Sequence, residues 1–240
     1  MKVCIDIQSA VTQRAGVGRY TRELVQHLAA MAEPDDRFLL PYFDFKGNAA
    51  PFELPNAELK AVRWCPGRIA QLAWKTLRWP PYDVFSGEAD LYHFPNFIIP
   101  PLRRKKAIVT IHDMSFMAYP HFAEEGNVRY LRRHLEETAK RADAIITISH
   151  FSAREICRYL DVSESRVFPV YLGIADRFAR PDSETTARVL ADCKLDRPYL
   201  LTVGTVEPRK NIPFLVEAFE QLKDFDGDLV IAGGYGWKYE

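Results

Sequence analysis

No two of the four cysteines (Cys4, Cys65, Cys157 and Cys193) are neighbours in sequence, and none has a histidine at metal-ligand spacing. That absence argues against a structural zinc, and the scattered thiols read as reduced cytosolic side chains. No apolar run reaches the ~18 residues of a membrane-spanning helix. Residues 2–7 carry Lys2 and Asp6 and read as a strand rather than a secretory leader. Neither sign of charge dominates: 32 Lys+Arg balance 32 Asp+Glu, so net charge gives no argument for nucleic acid. Repeats and low-complexity segments are missing as well. What is present is enough apolar material, 48% of 240 residues with 12% aromatic, to build one large or two modest cores.

Short β-branched runs alternate with helical spacing along most of the chain. Val3–Ile7, Phe38–Phe43, Leu59–Trp64, Asp90–His93, Ala107–Ile111, Ala144–Ile148 and Val167–Val170 read as strands. Between them Tyr20, Leu24, Val25, Leu28 and Met31 mark one helix, and Val128–Arg141 spans another. Ser149 or Ser152 caps a third, with Ser152–Glu155 fitting a capping box. The βαβα pattern predicts an α/β fold with a doubly wound parallel sheet. A turn-rich loop at about 173–183 then separates a domain over 1–172 from the start of a second α/β domain over 173–240. There, Tyr199–Val203 and Asp228–Ala232 are two strands, too few for an independent sheet, so a truncated chain is expected. Residues 68–79 place Ile69, Leu72, Ala73, Trp74 and Leu77 on one face beside Arg68, Lys75 and Arg78. This helix either packs on the core, the reading preferred for an aromatic stripe, or lies on a membrane surface or acceptor. The run Arg103-Arg104-Lys105-Lys106 is the other feature for a peripheral membrane contact.

The stretch Pro198–Asn211 carries the strongest chemical signal. A strand ends at Gly204, Arg209 and Lys210 follow, and Asn211 stands at the N-cap position of a helix with Ile212, Leu215, Val216 and Phe219 at helical spacing. Two cations and a helix start at the carboxyl end of a strand suit a phosphate or diphosphate, although solvated loop charges explain the pair equally. Gly16-Val17-Gly18 follows the first strand and either lets backbone N–H groups approach a phosphate or forms a plain tight turn. Thr21 holds the place of the third glycine of the dinucleotide fingerprint, which weakens a nicotinamide reading. Asp44 remains as an imitation of its ribose-binding acid. His112-Asp113 and His93 end strands, facing the crevice or satisfied by backbone. Asp224-Phe225-Asp226 sits at the amino end of a strand, the wrong edge for a ligand, and is read as a solvated turn with no metal.

In order, Gly16-Val-Gly-Arg-Tyr20, His93-Phe-Pro-Asn96, Thr110-Ile-His-Asp113, Ala142–Ser149 and Gly204-Thr-Val-Glu-Pro-Arg-Lys-Asn211 resemble the family 4 glycosyltransferases. The last piece looks most like the bacterial mannosyltransferases that build O-antigen and other surface polysaccharides. The resemblance implies the GT-B architecture of two facing Rossmann-like domains. It also implies retaining, metal-independent transfer from a nucleotide sugar, with GDP-mannose favoured, to a polysaccharide or lipid-linked glycan, with no cofactor. Carried over, Arg209 and Lys210 bind and stabilise the leaving diphosphate, and His112 contacts the transferred sugar. Gly16, Val17, Gly18, Gly204, Thr205, Glu207, Ser149, Gly233 and Gly234 belong to the donor side, and Arg19, Tyr20, His93, Asn96 and Asp113 to the acceptor side. The family's paired-glutamate motif has no counterpart after residue 211, so weak or absent activity is expected of the chain alone. A cytoplasmic protein at the inner face of the cytoplasmic membrane, capable of dimerising, completes the expectation. A non-catalytic sugar- or partner-binding module is the alternative, and a nicotinamide-dependent oxidoreductase the more distant one.

Overall fold

The computed structural model describes residues 1–13, 16–49, 52, 54–103, 105–174 and 178–236. Arg104 of the basic run and Trp237 lie outside them. The chain divides into two compact units, Met1–Ala118 with Arg129–Gly173, and Tyr119–Val128 with Ile174–Glu240.

The first unit is built on seven parallel strands: β1 (Lys2–Ile5), β2 (Arg37–Phe43), β3 (Ala57–Val62), β4 (Leu91–Phe94), β5 (Lys106–Thr110), β6 (Ala144–Thr147) and β7 (Val167–Pro169). Their order is β3-β2-β1-β4-β5-β6-β7. The direction of winding reverses between β1 and β4, which is the topological switch point of a doubly wound sheet. Parallel strands are covered on both faces, so they read as near-continuous apolar runs. Ile5, Leu40, Val109 and Ile145 are accordingly inaccessible to solvent, each contributing ~1.5–3 kcal/mol by burial. Among the helices, α1 (Gln8–Thr12) and α2 (Val17–Ala30) follow β1, α3 (Gly67–Thr76) and α4 (Asp83–Ser86) follow β3, and α5 (Ser115–Ala118) and α6 (Glu125–Arg141) follow β5, while α7 (His150–Leu160) follows β6. On α6, Leu131, Leu135 and Ala139 are buried at spacings of one turn.

Between β1 and the glycine loop, Gln8–Thr12 forms the short helix α1. Two local expectations are revised. Ser149, not Ser152, caps α7: its Oγ accepts from the Ser152 N–H at 3.0 Å and donates to Ser152 Oγ at 3.0 Å. And α3 packs on the core by a narrower face than expected. Ala70 is buried with Val62 and Phe85, and Trp74 turns inward against Phe43, Tyr82 and Phe85, whereas Ile69 and Leu72 on α3, and Leu77 and Trp79 just after it, are 59–72% exposed.

The second unit holds α8 (Ser183–Asp192), β8 (Tyr199–Val203), α9 (Ile212–Glu220) and β9 (Asp228–Ala232). β8 and β9 pair in parallel from Tyr199↔Asp228 to Val203↔Ala232. Asn211 sits at the start of α9, but in the left-handed region at φ 48° and with no side-chain cap bond, so it turns the chain rather than capping it. Among the described residues no helix is long and apolar enough to cross a membrane.

Candidate functional site

At the switch point a cavity of about 350 Å³ opens beyond the carboxyl ends of β1 and β4, with Asp6, Gln8, Gln13, Trp74, Asn96 and Tyr130 in its lining. Asp6 follows β1, and its Oδ1 accepts from the Gln8 N–H at 2.8 Å. Burial raises its carboxyl pKa. Gln8 is held by the neighbouring strand, because its Oε1 accepts from the Phe43 N–H at 2.7 Å. Asn96, expected on the acceptor side, therefore lines a real cavity. Asp6 and Gln8 were missed, although a carboxylate closing the first strand of such a sheet is the available signal.

The glycine loop has two different jobs. Gly16 starts α2 at φ 55° with open space where a side chain would stand. Gly18 is buried, and a Cβ there would lie 2.1 Å from the Gln13 carbonyl oxygen and 2.7 Å from that of Ser9. Only a glycine lets α2 pass so close to α1. Val17 is half-buried in the same turn, and Arg19 is exposed on the helix. Tyr20 reaches across to the end of β5.

There the structure gathers a neutral polar cluster. The Tyr20 hydroxyl lies 3.2 Å from Thr110 Oγ1, which lies 2.9 Å from His93 Nε2. The Tyr20 ring meets the His112 ring edge-on at 4.9 Å. His112 Nε2 lies 3.0 Å from the Pro95 carbonyl oxygen. A carbonyl only accepts, so Nε2 carries the proton and Nδ1 keeps a lone pair. Burial lowers the pKa of His112 against the opposing effects of Pro95 and Asp113. Burial, and then His112, bring His93 down to about 4, so both rings are neutral near pH 7. His93 is 5% exposed. It supports Thr110 and Tyr20 from beneath the edge and does not stand at it, while Thr110, quoted in the sequence motif without a role, is the link. Asp113 Oδ1 accepts from both the N–H and the Oγ of Ser115, at 2.8 and 2.6 Å, and so starts α5. Ser149 is likewise engaged at its own helix cap.

In the second unit the loops after β8 and β9 run side by side. The Gly204 N–H donates to the Ala232 carbonyl at 2.9 Å, and the Val206 N–H to that of Gly234 at 2.9 Å. Gly233 is obligatory, because a Cβ would stand 1.9 Å from the Gly204 carbonyl oxygen. Gly234 faces open space, and Thr205 packs towards Gly236. Pro208–Lys210 is one turn of 3₁₀ helix. Lys210 is exposed, with its Cε 3.7 Å from the point a side chain on Gly204 would reach. Arg209 Nη2 donates to Glu207 Oε1 at 2.6 Å. Glu207 therefore orients the guanidinium and offsets part of its charge, a pairing adjacent to the cations in sequence yet not anticipated. Of the Asp224-Phe225-Asp226 pattern, Asp226 pairs with Arg197, which also pairs with Asp228 at the amino end of β9.

Residues 14–178 match the model of Glycosyltransferase Family 4. The chain belongs to that family. Among curated proteins it is similar to O-antigen chain mannosyltransferase B of Escherichia coli, 29% identical over 255 residues that cover 99% of this chain and 65% of that protein. Its fold resembles that of Anabaena Alr3699/HepE, solved in complex with UDP-glucose, with a TM-score of 0.60 at 13% identity over 99% of this chain and 62% of that one. It also resembles UDP-GlcNAc 2-epimerase from Methanocaldococcus jannaschii, with a TM-score of 0.51 at 13% identity over 96% and 65%. The family 4 chain thus spans just under two thirds of each of these three proteins. The features that imitate a nicotinamide site are occupied otherwise. Thr21 is fully buried with its Oγ1 2.8 Å from Ser9 Oγ. Asp44 Oδ1 accepts from the Asn48 and Ala49 N–H groups at 2.9 and 3.1 Å, while Oδ2, 3.8 Å from Arg63, has no hydrogen-bond partner; the side chain is buried, 6% exposed, and so is not presented to a ribose.

Proposed function

We propose that the chain carries the acceptor side, over 1–172, and part of the donor side, over 173–240, of a retaining, metal-independent glycosyltransferase. Its reaction moves mannose from a nucleoside-diphosphate sugar, GDP-mannose, to a polysaccharide or lipid-linked glycan. The observation that carries this reading is the pair Arg209 and Lys210 at the carboxyl end of β8, in a chain of family 4. Guanidinium and ammonium there bind the diphosphate and stabilise the charge that grows on it as the sugar leaves. The N–H groups that open α9 add to this field, Gly233 lets the loops after β8 and β9 close on one another at Gly204 and Thr205, and the open space at Gly234 leaves room for the nucleotide.

The neutral Nδ1 of His112 accepts a hydroxyl of the transferred sugar, with Tyr20, Thr110 and His93 holding the ring in place. Backbone N–H groups around Gly16 approach the donor, and Asn96 and Asp6 face the acceptor in the switch-point cavity. The exposed apolar side chains of α3, flanked by Arg63, Arg68 and Lys75, suit contact with the inner face of an anionic membrane. Exposed Leu200, Leu201 and Val203 on β8 suit a homodimer, or a non-catalytic partner-binding role as the second reading; light scattering separates monomer from dimer.

Saturation-transfer NMR with GDP-mannose, UDP-glucose and ADP-glucose tests the donor, with an oligomannoside added to detect transfer and EDTA to test metal dependence. Binding of one nucleotide sugar, unchanged by EDTA, and an α-linked product from an α-linked donor are the expected results. No contact with any nucleotide sugar would sink the proposal.

A further inference from the structure

The first unit has a second cavity, of about 250 Å³, enclosed by α3, the segment after β4 and α6. Its charged lining consists of Lys75, Arg78, Arg133, Arg141 and His134 with a single carboxylate, Glu137. Glu137 pairs with Arg78 and lies 3.9 Å from Arg141. Among the described residues Lys75 and Arg133 have no carboxylate partner. Lys75 Nζ is held 4.3 Å over the Tyr130 ring. Arg141 is braced by donating to the Ile99 and Pro100 carbonyls at 3.3 and 2.8 Å, so the wall is fixed before any ligand arrives. Burial and the charges of Arg133, Lys75 and Arg78 lower the pKa of His134, and burial with Arg78 does the same to Arg141. A structural ion-pair cluster brings carboxylates to match its cations. Four permanent cations around one carboxylate instead leave a strong positive field in a small concave space, on a chain whose total charge is balanced.

This cavity and the switch-point cavity share Trp74, Lys75, Ile98, Pro100 and Tyr130, so one extended molecule can occupy both. The exposed apolar residues of α3 border it, because Lys75 and Thr76 belong to α3 and Arg78 follows it.

We propose that the cavity between α3 and α6 binds a phosphate or diphosphate group and, resting on the transferase reading above, that this group is the carrier end of the acceptor whose glycan lies in the switch-point cavity. Guanidinium groups and an ammonium match phosphate oxygens, and anchoring that end sets which sugar of the glycan reaches the donor.

The test starts from an Arg209→Gln/Lys210→Gln protein, in which the donor residues are silenced, titrated with inorganic pyrophosphate by calorimetry. It should bind, and adding Lys75→Gln and Arg133→Gln should weaken binding by on the order of tenfold per cation. Arg133→Lys should keep most of the affinity. Both side chains are exposed, so the melting temperature should not move. No pyrophosphate binding in the starting protein, or equal binding after Lys75→Gln/Arg133→Gln, overturns the proposal. Co-sedimentation with phosphatidylcholine vesicles, with and without phosphatidic acid, separates the sources. Retention on phosphatidic acid that needs Lys75 and Arg133 assigns a lipid-borne phosphate; pyrophosphate binding without retention assigns a soluble phosphorylated acceptor. GDP binding by the unaltered chain is read separately. If it occurs while pyrophosphate ignores the cavity, this inference falls and the transferase reading stands. If GDP does not bind while pyrophosphate needs Lys75 and Arg133, the phosphate site stands and the transferase reading falls.

Discussion

The two units end their strands in opposite chemistry. Beyond β4 and β5 the first unit presents neutral groups that satisfy one another: His93, Thr110, Tyr20, His112 and the Pro95 carbonyl. Beyond β8 the second presents Arg209, paired with Glu207, and Lys210. The same strand–turn–helix unit thus presents either neutral hydrogen-bonding groups or cations. The choice lies in the few residues after the strand, not in the fold. The contrast extends to what stands behind each edge. β1, β5 and β6 run through a closed core, whereas Leu200, Leu201 and Val203 of β8 are 42–74% exposed.

The largest expected difference is in stability. Ile145→Ala, at a position with no solvent exposure, should cost ~2–5 kcal/mol in urea unfolding, whereas Leu201→Ala, 55% exposed, should stay within ~0.5 kcal/mol. Comparable costs would mean that the two sheets are equally buried in solution. Next is the pH response. The folded pKa of His93 is lowered to about 4 from 6.5, so the unfolded chain takes up the proton first. The stabilisation is complete above pH 6.5 and is lost as pH falls towards 4. In His93→Gln that slope should flatten. The loops after β8 and β9 carry no histidine, so nucleoside-diphosphate binding there should be unaffected by the same replacement. His112→Ala should lower turnover about tenfold, the value of one neutral hydrogen bond, and leave diphosphate affinity unchanged. The smallest contrast is between helix starts. Ser149→Ala removes a cap bond and should cost ~1 kcal/mol. Asn211→Gly removes none, at a left-handed residue, and should change stability by only a few tenths of a kcal/mol.

The sheet was legible because buried parallel strands announce themselves as apolar runs, as at Ala107–Ile111 and Ala144–Ile148. The glycine loop and the cations after β8 were visible because their residue types are unusual in adjacent positions. Exposure was not legible on α3: periodicity shows that Ile69, Leu72 and Leu77 share a face, not what covers it. Nor could spacing choose between Ser149 and Ser152, which both precede the same apolar face. Asp6, Thr110 and the basic cavity were hidden for a different reason. Each depends on partners far away in sequence, such as Lys75 beside Tyr130, and only the folded sheet brings them together.

The central claim is that the nucleoside diphosphate of the donor is recognised by Arg209 and Lys210 after β8 and not by the neutral cluster around His112. Calorimetric titration with GDP of the unaltered chain, of His112→Ala and of Arg209→Ala/Lys210→Ala tests it directly. Binding that survives His112→Ala and falls on the order of a hundredfold in the double variant is the predicted result. GDP binding of undiminished affinity after loss of both cations, or binding that disappears with His112, would contradict the account.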